Sequence, residues 1–134
     1  MASSKDVFAA IATHWSNSAT LSAINGPYRD MKRYNAAFTH CIFSSVLNRR
    51  MARSCANEYW LHTFRFTVRA QKETEVESAI ELIGAAFDPA TLSISNGGQV
   101  KLERVSEAYF PEDENVSVGV LEYDCVRWKA RIDV

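Results

Sequence analysis

No stretch of the 134 residues approaches the ~20 consecutive apolar positions that a membrane-crossing helix needs. The start of the chain, Met1-Ala2-Ser3-Ser4-Lys5-Asp6, lacks the basic opening and continuous apolar core of a secretory signal, so folding in a cytosol-like compartment is expected. Cys41, Cys55 and Cys125 are odd in number, widely spaced and without a CxxC pair. That argues for free thiols rather than a disulfide framework or a zinc knuckle. An excess of one charge is missing too. Fifteen basic against sixteen acidic residues leave a net charge of -1, so no global field recruits nucleic acid or an anionic membrane. Charge-based binding has to be local.

Chemical motifs are equally scarce. His14, His40 and His62 offer no HxH or HxxxH spacing for a metal. Asn96-Gly97-Gly98 is followed by no lysine with serine or threonine and opens no helix, so it is not a phosphate loop. The acids at 112, 113 and 114 adjoin Pro111 and read as a solvated surface cluster in a turn, not as a calcium or catalytic site. No cofactor is expected. Aromatic residues do not interleave with the cations in the way that stacks bases, which sets nucleic acid aside as the main ligand.

What is present is an ordinary globular pattern, with 47% hydrophobic and 23% charged residues. No repeat or low-complexity segment interrupts it, and 1–134 reads as a single α+β domain. The clearest signal lies at 56–88. Trp60, Phe64, Phe66 and Val68 alternate with Thr63, Arg65, Thr67 and Arg69, the period-2 pattern of a strand with one buried face. Val76, Ala79, Ile80, Ile83 and Phe87 then form the single stripe of an amphipathic helix. Burying four of its large side chains contributes about 6–12 kcal/mol before chain entropy is subtracted. Thr74-x-x-Glu77 fits a capping box, and Asp88-Pro89 ends the helix.

Upstream, Val7, Phe8, Ile11, Ala12 and Trp15 line one side of a helix from about Ser4 to Trp15. A helical turn near Thr20 to Ile24 stops at Asn25-Gly26-Pro27, and 28–35 reads as a loop. A strand is expected from near Ala36 to Leu47, with Phe38, Ile42, Ser44 and Val46 in one phase. The hairpin that follows, Asn48 to Ala56, holds Arg49, Arg50 and Arg53 and no acid, the most basic patch of the chain. Downstream, the turn Ser95-Asn96-Gly97-Gly98 leads to a strand from Gln99 to Phe110. An acidic turn at 111–115 then leads to a last strand, Val116 to Ile132. Its apolar phase switches twice between Val120 and Val126, which suggests two irregularities. Arg127, Lys129 and Arg131 form a second cationic row on it, facing solvent or a neighbouring subunit. The expected fold is α+β: a mostly antiparallel sheet of about four strands, an amphipathic helix packed on one face and an N-terminal helix.

Three segments, "YNAAFTHCIFSSVLNRR" (34–50), "WLHTFRFTVRAQKETEVESAIELIGAAFD" (60–88) and "VLEYDCVRWKARI" (120–132), resemble the first strand and hairpin, the second strand and helix, and the last strand of tail terminator (tail completion) proteins of tailed bacteriophages. The likeness is one of pattern and element order. It implies a virion structural protein with no active site. Its copies would form a closed ring, commonly hexameric, that caps the tail tube and joins it to the head–neck connector. The implied partners are further copies of itself, the tail tube protein and the connector. DNA would pass through the bore without specific binding, no membrane would be involved, and assembly would take place in the host cytoplasm. Under this resemblance Arg49, Arg50, Met51 and Arg53 are assigned to contact with the tube or the adjoining subunit. Two alternatives stand beside it. One is a neck or head-completion protein of the same particle. The other is a small α+β enzyme or ligand-binding domain using His40, Cys41 and His62, a Cys/His arrangement if the strands carrying them pair.

Overall fold

The computed structural model of the chain describes residues 4–29, 38–53, 57–87, 90–94, 98–113 and 115–130. Helix α1 (Ser4–Ser16) and a 3-10 turn (Ala19–Ala23) lead into β1 (Asn25–Arg29), β2 (His40–Arg53) and β3 (Asn57–Ala70). Helix α2 (Glu73–Phe87), β4 (Ala90–Ile94), β5 (Gly98–Asp113) and β6 (Val116–Ala130) complete it. The strands form one mixed sheet in the order β1-β2-β3-β6-β5-β4, with β1 parallel to β2 and every other pair antiparallel. The architecture is α+β, as expected, but the sheet has six strands rather than about four, and it curls into a half-barrel.

The period-2 reading of β3 holds. His62, Phe64, Phe66, Val68 and Ala70 are buried and share a face with Gly119, Leu121, Tyr123 and Cys125 of β6, their register partners or close neighbours. Both helices lie on this face. Phe8 of α1 meets Phe43 and Phe64 edge-on at 4.9 and 5.4 Å, and Phe87 of α2 packs on Phe66 at 5.1 Å. Val76, Ala79, Ile80, Ile83 and Phe87 are buried, as the helical stripe predicts. In α1, Val7, Phe8, Ile11 and Trp15 are buried while Ala12 is exposed. His14 Nε2–H donates to the Ala86 carbonyl at 2.6 Å, tying α1 to the last turn of α2.

Several sequence expectations are corrected. The first helical hydrogen bond of α2 runs from the Val76 N–H to the Lys72 carbonyl, so Lys72 holds the cap position and Thr74 lies within the first turn. The capping box is therefore displaced by its own helix start. Asn25-Gly26-Pro27 does not break the chain into a loop. It opens β1, where Gly26 adopts φ 123°, a conformation that glycine takes without a Cβ clash. Tyr28 and Arg29 belong to the same strand, and 30–37 lie outside the described residues. In β2 Cys41 and Phe43, opposite to the expected phase, are buried toward the helices, with Phe43 seated under Phe8, while of the expected phase His40 is buried on the other face. A shift between Ser45 and Leu47 then changes the phase further along.

β6 keeps an unbroken register with β3, so the two irregularities expected in it are absent. Both of its faces carry apolar residues: Leu121, Tyr123 and Cys125 face the helices, while Val118 is buried on the other phase. That two-sided hydrophobicity imitates a phase switch. The acidic turn also shrinks. Pro111, Glu112 and Asp113 belong to β5, with Pro111 opposite Ser117 and Asp113 opposite Val116. Finally, β4 pairs antiparallel with β5 up to Ile94 and Gly98, and the expected turn at 95–97 lies outside the described residues.

Candidate assembly surface

The residues weighed for catalysis are not brought together. Cys41 sits opposite Val68 and His62 opposite Asn48, which separates them by about six residues along β3, about 20 Å. His40 is the strand neighbour of Cys41 and so points to the other face. There it is buried and stacked on Phe38 at 5.6 Å. His62 is a core residue, 4.0 Å from the Phe64 ring and hydrogen-bonded through Nε2 to Ser45 Oγ at 2.8 Å. Burial pushes the Cys41 thiol far above the ordinary range, partly offset by a backbone hydrogen bond from Thr67, so it stays protonated and a poor nucleophile. Among the described residues no three of His, Cys, Asp and Glu stand together as metal ligands, and no helix is long and apolar enough to cross a membrane.

The surface instead is built by the sheet. On the face away from the helices a cross-strand polar row runs between β3 and its neighbours. Thr63 Oγ1 donates to Asp124 at 2.6 Å. Arg65 reaches Glu122 Oε1 through Nε and Nη2 at 3.0 and 2.7 Å, and Arg69 Nε reaches Glu112 at 2.8 Å. These pairs fasten β3, β6 and β5 into one slab and satisfy their own charges.

The edges of the slab carry more information than its face. β1 covers β2 only from His40 to Phe43, and β4 covers β5 only from Gly98 to Leu102. Among the described residues, then, β2 has a strand on one side only from Ser44 to Arg53, and so does β5 from Glu103 to Asp113. Glu103 to Glu112 are all exposed, and Val46, Val105, Tyr109 and Phe110 are large apolar residues left in solvent on these two stretches. Long one-sided strands with exposed apolar residues are templates for pairing with another chain.

The predicted basic hairpin falls on one of them. Arg49, Arg50, Met51 and Arg53 do not form a loop. They continue β2, where Arg49 is level with Leu61, Arg50 with Trp60 and Arg53 with Glu58. The remaining hairpin residues, 54–56, lie outside the described residues. Arg127 and Lys129 of the second cationic row lie in β6 opposite Trp60 and Glu58, and Arg131 lies outside the described residues. The β5 edge was missed from sequence. Its signal is a run from Glu103 to Asp113 with no sustained apolar alternation, the mark of a strand without a fully buried face.

No protein-family model matches the sequence, and no curated protein matches it. Among solved structures, the fold is similar to a chain described as "Virion of native gene transfer agent (GTA) particle", with a TM-score of 0.67 and 16% identity, covering 93% of this chain and 96% of that one. At such identity the two chains share a fold from end to end, and it is the fold alone that they are shown to share.

Proposed function

We propose that this chain is a structural subunit of a phage-like virion, and within it a tail terminator. Its copies close into a ring, a hexamer in the family it resembles, that caps the tail tube and joins it to the head–neck connector. The subunit acts through protein surfaces, needs no cofactor and lets DNA pass through its bore without specific binding. It is assembled in the host cytoplasm and resides at the tail–neck junction.

The observation that carries this reading is the end-to-end likeness of fold to a virion component. Three features add support. The segments resembling tail terminators include the hairpin strands and α2, the part of the fold with the clearest pattern. Two long one-sided strands suit a protein completed by neighbours. Cys41 and His62 stand far apart, which favours the assembly reading over one that pairs them.

Deleting the gene from the particle that encodes it tests the reading. Filled heads beside unjoined tails are expected, and normally joined particles would refute it. Labelling the subunit in intact particles separates the neck or head-completion alternative: a terminator lies at the end of the tail tube, a head-completion protein at the portal.

A further inference from the structure

We infer that the ring closes by strand pairing, with the basic one-sided stretch of β2 in one copy laid antiparallel along the acidic one-sided stretch of β5 in the next. This rests on the ring proposed above and adds which edges meet. Four observations lead to it.

The first is charge. Ser44 to Arg53 contains Arg49, Arg50 and Arg53 and no acid. Glu103 to Asp113 contains Glu103, Glu107, Glu112 and Asp113 against the single base Arg104. The chain as a whole is nearly neutral, so opposite charge gathered on the two opposite edges is a local arrangement. Glu112 already meets Arg69, and Glu107 meets Arg104 of its own strand at 3.5 Å and accepts from the Tyr109 hydroxyl, local contacts on an exposed strand that a partner's cations would have to share or displace.

The second is direction. β2 and β5 are separated by β3 and β6, each antiparallel to the next, so β2 and β5 themselves run in opposite senses. A copy brought alongside by rotation about a ring axis therefore presents β5 antiparallel to β2. Such a contact joins two different patches and repeats head to tail, the kind that closes rings.

The third is level. The one-sided stretch of β2 lies beside β3 from Arg65 to Glu58, whereas that of β5 lies, through β6, beside β3 from Thr63 to Ala70. Their centres are offset by about five to six residues, about 18 Å, across four strand spacings that span about 19 Å. Pairing them full length tilts the strands by about 40–45° to the ring axis, close to the ~35–45° tilt of closed barrels.

The fourth is clearance. With that offset, the part of β2 covered by β1 lies beyond the Asp113 end of the neighbour's β5, and β4 lies beyond the Arg53 end of β2. Among the described residues, the two short outer strands act as stops on either side of the matched stretches.

The test uses the full chain in two variants, R49E/R50E/R53E and E103K/E107K, followed by native mass spectrometry and negative-stain imaging at low salt. Wild type is expected to form closed rings. Each variant alone, with unchanged circular dichroism, should need at least tenfold more protein to do so. An equimolar mixture should restore rings that hold both chains in equal number, because the acidic β2 of one then meets the basic β5 of the other. Rings formed by either variant as readily as by wild type would overturn the edge assignment and leave the ring standing. So would a mixture of two folded variants that fails to assemble. These edges would then be ones whose charges and Pro111 merely deter pairing. A wild type that stays single both in solution and on the particle would overturn the ring itself.

Discussion

Helix α2 is seated on a position that has no side chain, and filling that position measures how tightly the sheet and helix are joined. A Cβ on Gly119 would stand 2.5 Å from Val76 Cγ1, 3.0 Å from Ile80 Cγ1 and 3.3 Å from Ile80 Cδ1. Carbon atoms rest at about 3.5–4.0 Å, so the helix or the valine must retreat by about 1 Å. Both side chains are buried, which leaves little room for them to turn. Overpacking of this kind costs about 1–3 kcal/mol. Replacing glycine also removes unfolded-state freedom, which returns about 0.4–1 kcal/mol. Gly119→Ala is therefore expected to destabilise by about 1–2 kcal/mol, lowering the urea midpoint by about 1 M for an m-value of about 1–2 kcal/mol/M. Val76→Ala alone loses buried methyl groups, about 1.5–2.5 kcal/mol. Together the two changes should cost at least about 1 kcal/mol less than their sum, since the valine methyl that obstructs the added Cβ is gone. Additivity within about 0.5 kcal/mol would refute the close seating of α2 on β6. Gly84 serves as the control. There the atoms nearest to an added Cβ all belong to the guanidinium of Arg104, the far end of a flexible side chain, so Gly84→Ala should be neutral or stabilising.

Arg65→Ala removes a pair whose side chains are 41% and 20% exposed, so urea unfolding should register a loss of no more than about 1 kcal/mol; a loss of about 3 kcal/mol would mean that the polar row holds the sheet together. His14→Ala deletes the bond to the Ala86 carbonyl and should cost about 1 kcal/mol by the same assay, with no effect expected if α1 and α2 are not joined there. Cys41 should resist a thiol reagent at about pH 8 until the chain is unfolded, and rapid labelling of the native protein would contradict its burial. Because its folded pKa is raised, the Cys41 contribution to stability is fully present below the ordinary thiol value near 9 and is lost as pH rises beyond it; stability that improves with rising pH in Cys41-containing protein, but not in Cys41→Ala, would reverse that sign.

The central part of the fold was legible because it obeys simple periods. β3 buries one face only, so its alternation survives in the sequence, and α2 buries one stripe. What escaped notice did so for physical reasons. β1 and β4 are five residues each, too short to show alternation, and β1 contains Gly26 and Pro27, which ordinarily signal a turn. β6 has apolar residues on both faces, so its phase was misread. Arg49, Arg50 and Arg53 looked like a loop because cations at strand ends and in turns are compositionally alike. Only pairing with β3 shows that they extend a strand. The candidate surface was half visible. A local basic cluster can be counted from sequence, but its acidic counterpart becomes a surface only when the strand order puts β2 and β5 near opposite edges.

The most direct test is an image of the particle at a resolution that traces strands. This subunit is expected there as a closed ring at the end of the tail tube, with β2 residues 44–53 of each copy hydrogen-bonded antiparallel to β5 residues 103–113 of the next. A ring in which those two stretches face solvent would contradict the strand pairing, and a subunit found singly or elsewhere in the particle would contradict the assembly role from which it follows.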